Sequence, residues 1–211
     1  MIMAHTLSLF RLGDLGVTVP AAIAIAAWLL TRRAWRLAWR WSWLFALGML
    51  TVGVSKIAYL GWGVGVPALE FKAVSGHAAG ATAVWPFLLY LSMRQWRDVR
   101  RQPWPPPGQP CPGVASGLML GLLVTALLVL AREHSLAEAL TGYGLGALVS
   151  LFTLRSAAAL PPPAPLWLLL LVALAALTAL WLMRFAHVGY WMIKAARLLS
   201  GNSNLHPLTL D

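Results

Sequence analysis

Val114-Ala-Ser-Gly-Leu-Met-Leu-Gly-Leu-Leu-Val-Thr-Ala-Leu-Leu-Val-Leu-Ala131 is followed at once by Arg132-Glu133-His134, and a second apolar run continues from Ser135 to Leu154. A helix crosses the hydrocarbon core of a bilayer with ~20 mostly apolar residues. Two such runs, broken only by three polar residues, read as consecutive membrane spans. They are long, continuous and rich in Leu and Ala. Transmembrane β-strands instead alternate apolar and polar positions over ~10 residues.

Working outward, four more segments of this kind stand out. The first runs from about Gly16 to Leu30. Arg32-Arg33 follow it where a signal cleavage site would lie, so it reads as a span rather than a cleaved leader. The second covers about Trp41 to Gly63, the third Gly76 to Met93, and the sixth Leu166 to Met183. The expected fold class is therefore all-α: a polytopic membrane helical bundle of about six transmembrane helices. It forms a single domain over residues 1–211, with an N-terminal interfacial segment 1–15, a Pro-rich cytoplasmic loop 94–113 and a C-terminal tail 185–211. Pro103 to Gly113 holds six of the 14 prolines and predicts a stiff loop without helix.

Composition agrees. Hydrophobic residues make up 60% of the 211 residues and charged ones 10%, against about a quarter charged in a soluble domain. Mean hydropathy is +0.73. Disorder is excluded by the abundance of apolar side chains, and a disulfide scaffold by the single Cys111, which reads as an inert reduced thiol. The net charge of +10 does not predict nucleic acid as a partner. The arginines lie in short segments between apolar runs with Trp interleaved, as at a bilayer surface. Trp35, Trp39 and Trp43 alternate with Arg32, Arg36 and Arg40 as two helical stripes, an interfacial anchor.

Basic loops favour the cytoplasm. The first loop has Arg32, Arg33, Arg36 and Arg40, and the third has Arg94, Arg97, Arg100 and Arg101. The second and fourth loops, Lys56 to His77 and Arg132 to Glu138, then share the opposite face. The expected location is the inner (plasma) membrane, with the site facing the periplasmic or extracellular side. Gly142, Gly144 and Gly146, with Gly48 and Gly53, would permit close helix contacts.

An ionisable side chain at mid-bilayer costs ~2.5–3.5 kcal/mol or more, so those near the spans need a reason. Two groups fall at helix ends on one face: Lys56, Lys72, Ser75 and His77; and Arg132, Glu133, His134 and Glu138. His5, His187 and His206 lie outside this pattern. His134 and Glu138 are spaced i, i+4, which on a helix stacks them on one face. The carboxylate would hold one ring nitrogen and leave the other free to attack or to take a proton. Ser75-Gly76-His77 opens the third span, where a hydroxyl, backbone N–H groups and the helix dipole suit an anion. Ser75 could equally be a plain N-cap.

Together these residues resemble the signatures of the type 2 phosphatidic acid phosphatase (PAP2) superfamily. Ser75-Gly76-His77 is similar to its second signature. His134-Ser135-Leu136-Ala137-Glu138, with Gly142 beyond, is similar to its third, in which some bacterial members carry Glu for Asp. Lys56 falls about where the first signature's lysine belongs. The resemblance implies a cofactor-free, metal-independent hydrolase acting on a membrane lipid phosphate or diphosphate through a phosphohistidine, such as undecaprenyl diphosphate or phosphatidic acid. His134 would be the nucleophile, Glu138 its orienting partner and His77 the acid for the leaving group. Lys56, Ser75 and Gly76 would hold phosphate oxygens. The chain departs from the pattern at Gly63, Val64 and Leu128, where the family has Arg, Pro and Arg, and at Val74, where it has Pro. Lys72 and Arg132 are the cations placed to substitute. The alternative is a non-catalytic relative that binds or transports a phosphorylated lipid. A zinc site from His77, His134, Glu133 and Glu138 is disfavoured, since no His-x-x-x-His or His-Glu-x-x-His pair occurs.

Overall fold

The computed structural model describes residues 11–31, 33–99, 111–155, 187–202 and 204–208, with isolated helical positions between 170 and 181. The main helices are α1 (Leu15–Thr31), α2 (Trp35–Trp62), α3 (Gly76–Val99), α4 (Pro112–Leu130), α5 (Leu136–Leu154) and α6 (Val188–Ser200), and 3-10 turns cover Arg11–Gly13 and Pro67–Leu69. Among the described residues there are no strands, only an isolated bridge between Val66 and Phe71.

Three helices, α2, α4 and α5, are long and apolar enough to cross a membrane. Their outer faces carry large apolar side chains such as Leu50, Val54, Met119, Leu130 and Leu148, while Thr18, Thr82, Thr125, Ser150 and Thr153 are buried. Large apolar side chains on the outside, with hydroxyls kept to an otherwise apolar interior, suit lipid rather than water. The buried hydroxyls of Thr18, Thr82, Thr125 and Thr153 each donate to a backbone carbonyl four residues back. No interior donor of this set is stranded.

Helix α3 is the hub, packing against α4, α5, α1 and α2. Ala78, Ala79, Ala81, Ala83, Val84 and Phe87 on it are fully buried. Surrounded by protein, it needs small side chains rather than lipid-facing ones. Its partners approach through glycines. A Cβ at Gly113, Gly117 or Gly121 would strike the α3 backbone at Leu89 and Pro86 or the side chain of Thr82, and one at Gly142 or Gly146 would strike the carbonyls of Ser75 or Ala79. The spacing of four is the small-xxx-small pattern of close helix pairs. Gly144 and Gly53 face open space, so the close contacts expected of them are not made: both point away from the α3 seam. The Gly113-x-x-x-Gly117-x-x-x-Gly121 run was the stronger signal. Gly117→Leu should separate α3 from α4. The expected loss is about 3 kcal/mol or more, read as a fall of the thermal unfolding midpoint in detergent. A Gly144→Leu control should melt as wild type.

Several expected boundaries are corrected. Helix α2 starts at Trp35 rather than Trp41, because the Trp/Arg stripe is its own first turns. At 28 residues it is ~42 Å long, more than the ~30 Å of a bilayer's hydrocarbon core. Trp35, Trp39 and Trp43 are exposed, while Trp41 turns inward, donates to the Ala22 carbonyl at 2.9 Å and stacks on Phe45 and Phe87. Helix α3 runs on to Val99, so 94–99 is helix and not loop. Helix α4 begins at Pro112, inside the stretch read as helix-free, because proline's missing N–H costs nothing at the first helical position. Residues 11–14 belong to the bundle rather than to a separate interfacial segment. Gly13 is buried against the His77 backbone, and Trp85 Nε1 donates to the Leu12 carbonyl at 3.0 Å. The C-terminal tail contains α6, which packs on α2. The sixth span and the prolines at 103–110 fall mostly or wholly outside the described residues, as do Arg32, Arg100, Arg101 and His5.

Candidate active site

Helix α5 begins with a reciprocal cap. The Ser135 hydroxyl accepts from Glu138 N at 3.3 Å, and Glu138 Oε2 accepts from Ser135 N at 3.3 Å. Ser-x-x-Glu before an apolar run is the sequence signature of this capping box, so Glu138 has a structural duty that the spacing to His134 alone did not disclose. His134 lies just before the cap rather than on the helix. The two side chains meet because Glu138 reaches back, and His134 Nδ1 lies 2.8 Å from Glu138 Oε2.

The other carboxylate oxygen joins the two loops. Glu138 Oε1 accepts from Lys72 N at 2.8 Å and Ala73 N at 3.2 Å, while the Glu138 carbonyl accepts from Ser75 N at 3.1 Å. Ser55 on α2 adds a bond from Val74 N at 3.1 Å. A 5% exposed side chain thus takes four hydrogen bonds, a set suited to an ionised, acceptor-only carboxylate. An acceptor-only carboxylate at Nδ1 selects the tautomer with its proton there, which leaves Nε2 the ring's acceptor.

His134 opens onto a cleft of about 810 Å³. Lys72, Arg132, Glu70 and His206 supply its polar lining, and Tyr59, Trp62, Val66, Phe71, Val129 and Leu136 its apolar walls. Two of the lining residues, Glu70 (φ +50°) and Arg132 (φ +58°), hold left-handed backbone without being glycine. Each such residue stores ~1–2 kcal/mol of strain, and strain of this kind concentrates at functional sites.

The expected residues divide. Lys72, Arg132 and His134 share the cleft. Glu138 stands directly behind His134. Ser75 and Gly76 do not line it: Ser75 is fully buried and its hydroxyl accepts from Ala78 N at 3.4 Å, the N-cap of α3. Lys56 lies within α2 rather than in the loop, inside Coulombic reach of Glu138. His77 is also off the cleft, with Asp14, Lys56, His134 and Glu133 as its charged or titratable neighbours. The two histidines are therefore electrostatic neighbours, but only His134 faces the cavity. Among the described residues no three His, Cys, Asp or Glu side chains gather as metal ligands.

Two residues escaped the sequence reading. Asp14 caps α1, its carboxylate accepting from Gly16 N at 3.1 Å; an Asp before an apolar helical run is the signal. His206, outside the sequence pattern, lines the cleft. No local pattern marks it, since the contact joins residues far apart in the chain.

The fold and site thus define a helical membrane protein with an amphipathic, cation-lined cleft at one end of its bundle. The chain is similar to an uncharacterized 22.5 kDa protein in the cps region of Klebsiella pneumoniae, with 34% identity over 136 residues. That match covers 64% of this chain and 61% of the relative's length. No family model and no solved structure matches it.

Proposed function

We propose that the protein is a membrane lipid phosphatase that cleaves a phosphate or diphosphate ester through a phosphohistidine, with the cleft open to the periplasmic or extracellular side of the inner membrane. The observation that carries this reading is the His134–Glu138 pair, which leaves Nε2 unengaged in a cavity that also holds Lys72 and Arg132. The Nε2 lone pair attacks phosphorus, an N–P bond forms and the lipid O–P bond breaks. The leaving oxygen takes a proton, and water then cleaves the N–P bond. Lys72 and Arg132 stabilise the equatorial oxygens. They replace the cations that Gly63 and Leu128 lack, one a helix C-cap and the other buried. The apolar walls suit acyl or prenyl chains. His77 does not line the cleft, so in this scheme it passes the proton to the leaving oxygen through a bridging water. The orientation rests on charge: Arg36, Arg40, Arg94 and Arg97 lie toward the helix ends opposite the cleft.

The test is phosphate release from short-chain phosphatidic acid and a short-chain prenyl diphosphate by the purified protein in detergent micelles, with EDTA present. Turnover is expected; none on either lipid rejects the enzyme. A second prediction isolates Arg132. Because its backbone is left-handed, Arg132→Gly relieves strain while removing the guanidinium. Turnover should drop roughly 10–100-fold, the worth of a charge-assisted bond of ~1.5–3 kcal/mol. The unfolding midpoint should hold or rise.

A second reading is favoured by the position of His77 outside the cleft: a non-catalytic protein that binds or transports a phosphorylated lipid. Saturable phosphatidic acid binding without any phosphate release would select it.

A further inference from the structure

The chain leaving α6 closes one wall of the cleft. Gly201 (φ +71°) turns it back, Asn202 Nδ2 donates to the Gly61 carbonyl at 2.9 Å and His206 N donates to the Leu60 carbonyl at 3.1 Å. Two of the carbonyls that the last turn of α2 leaves unpaired are thereby satisfied from a segment more than 140 residues away. Only the backbone of His206 is needed for that. Its imidazole is exposed, tilted against the Tyr59 ring at 6.0 Å, and no described residue hydrogen-bonds its nitrogens. It sits over Gly63, where a Cβ would come within 3.0 Å of Nε2. Gly63 is thus the α2 C-cap and also leaves room for the ring.

We propose that His206 is a headgroup-binding residue, contributed to the cleft by the C-terminal segment. This rests on the reading that the cleft takes an anionic lipid headgroup. Tyr59, Trp62 and Gly63 at the end of α2, with His206 packed beside them, line the same cleft as Arg132 and His134. A phosphate engaged by Lys72, Arg132 and His134 fills a small part of 810 Å³. The His206 imidazole N–H, in the same cleft, donates a charge-assisted bond to anionic oxygens that those three residues leave in water. The side chain acts in binding and has no part in bond breaking.

The experiment measures affinity for short-chain phosphatidic acid, and for the matching neutral diacylglycerol, with the full chain in detergent micelles. His206→Ala should weaken phosphatidic acid binding about tenfold, the worth of one such bond, and leave diacylglycerol binding and the unfolding midpoint unchanged. His206→Gln, which keeps an N–H donor, should recover part of the loss. Asn202→Ala, which loosens the segment without touching the ligand, should weaken binding by a smaller factor. If the enzyme turns over, His206→Ala should raise KM with kcat nearly unchanged. Wild-type affinity in His206→Ala overturns the assignment alone, as does an equal loss for the neutral lipid. A wild-type protein that binds no phosphatidic acid overturns the cleft reading as well.

Discussion

Replacing His134 with alanine should end phosphate release while leaving the bundle folded. The imidazole has one described side-chain partner, Glu138, and its side chain is 18% exposed. Its loss leaves one carboxylate lone pair open beside the cleft, where water can reach it. The stability change should stay within about 1–2 kcal/mol. Turnover should drop roughly 10³-fold or more, because no neighbouring group replaces a nucleophile that forms the covalent intermediate. Phosphate release and thermal unfolding, run on the same detergent preparation, check both halves. A phosphoryl label from the substrate, stable to base and labile to acid, should appear on the wild type and not on the variant. Turnover that survives the substitution removes the phosphohistidine mechanism.

Glu138→Ala should damage fold and function together. The carboxylate accepts from Lys72 N, Ala73 N, Ser135 N and His134 Nδ1. Ala73 and Ser135 are buried, so their N–H groups have no water to turn to. A buried donor left unsatisfied costs ~1–3 kcal/mol. The four share one partner and do not add, which gives an expected loss of about 3–5 kcal/mol, against ~5–15 kcal/mol for a typical domain. The loop at 63–75 loses its side-chain ties to α5 at Lys72 and Ala73 while the backbone bond from Ser75 N to the residue-138 carbonyl remains, so Lys72 is no longer held at the cleft. Glu138→Gln keeps one acceptor oxygen for the loop amides but turns an NH₂ toward Ser135 N or His134, so its midpoint should fall between the other two. Activity should be lost in both. A Glu138→Ala protein that melts as wild type would mean the carboxylate does not hold the loops.

The two variants separate what was legible in the residues from what was not. His134 and Glu138 are legible as a pair because they are four apart, but His134 precedes the helix and stacking along it does not join them. The pairing comes from a cap that folds back. Ser75 reads equally well as anion ligand or as N-cap, and only burial decided for the cap. Lys72 and Arg132 could be named as the available cations, but nothing in their spacing said that they would share a cleft with His134 and leave His77 behind. The glycines show the same division. Period four marks a close helix seam, yet which of Gly142, Gly144 and Gly146 face α3 depends on the rotation of α5.

What the chain fixes by itself is the helical, bilayer-spanning class and the approximate place of each described span. In lipid every backbone amide must find its partner within its own segment, so an apolar run of sufficient length has no other structure open to it. That constraint is local and is written in composition. The cleft is not local. Residue 72 meets residue 138, and residue 61 meets residue 202, through hydrogen bonds whose partners are chosen by how helices rotate and how closely glycines let them approach. Such choices belong to the packed bundle, and only the tertiary structure could place His206 in one cleft with His134.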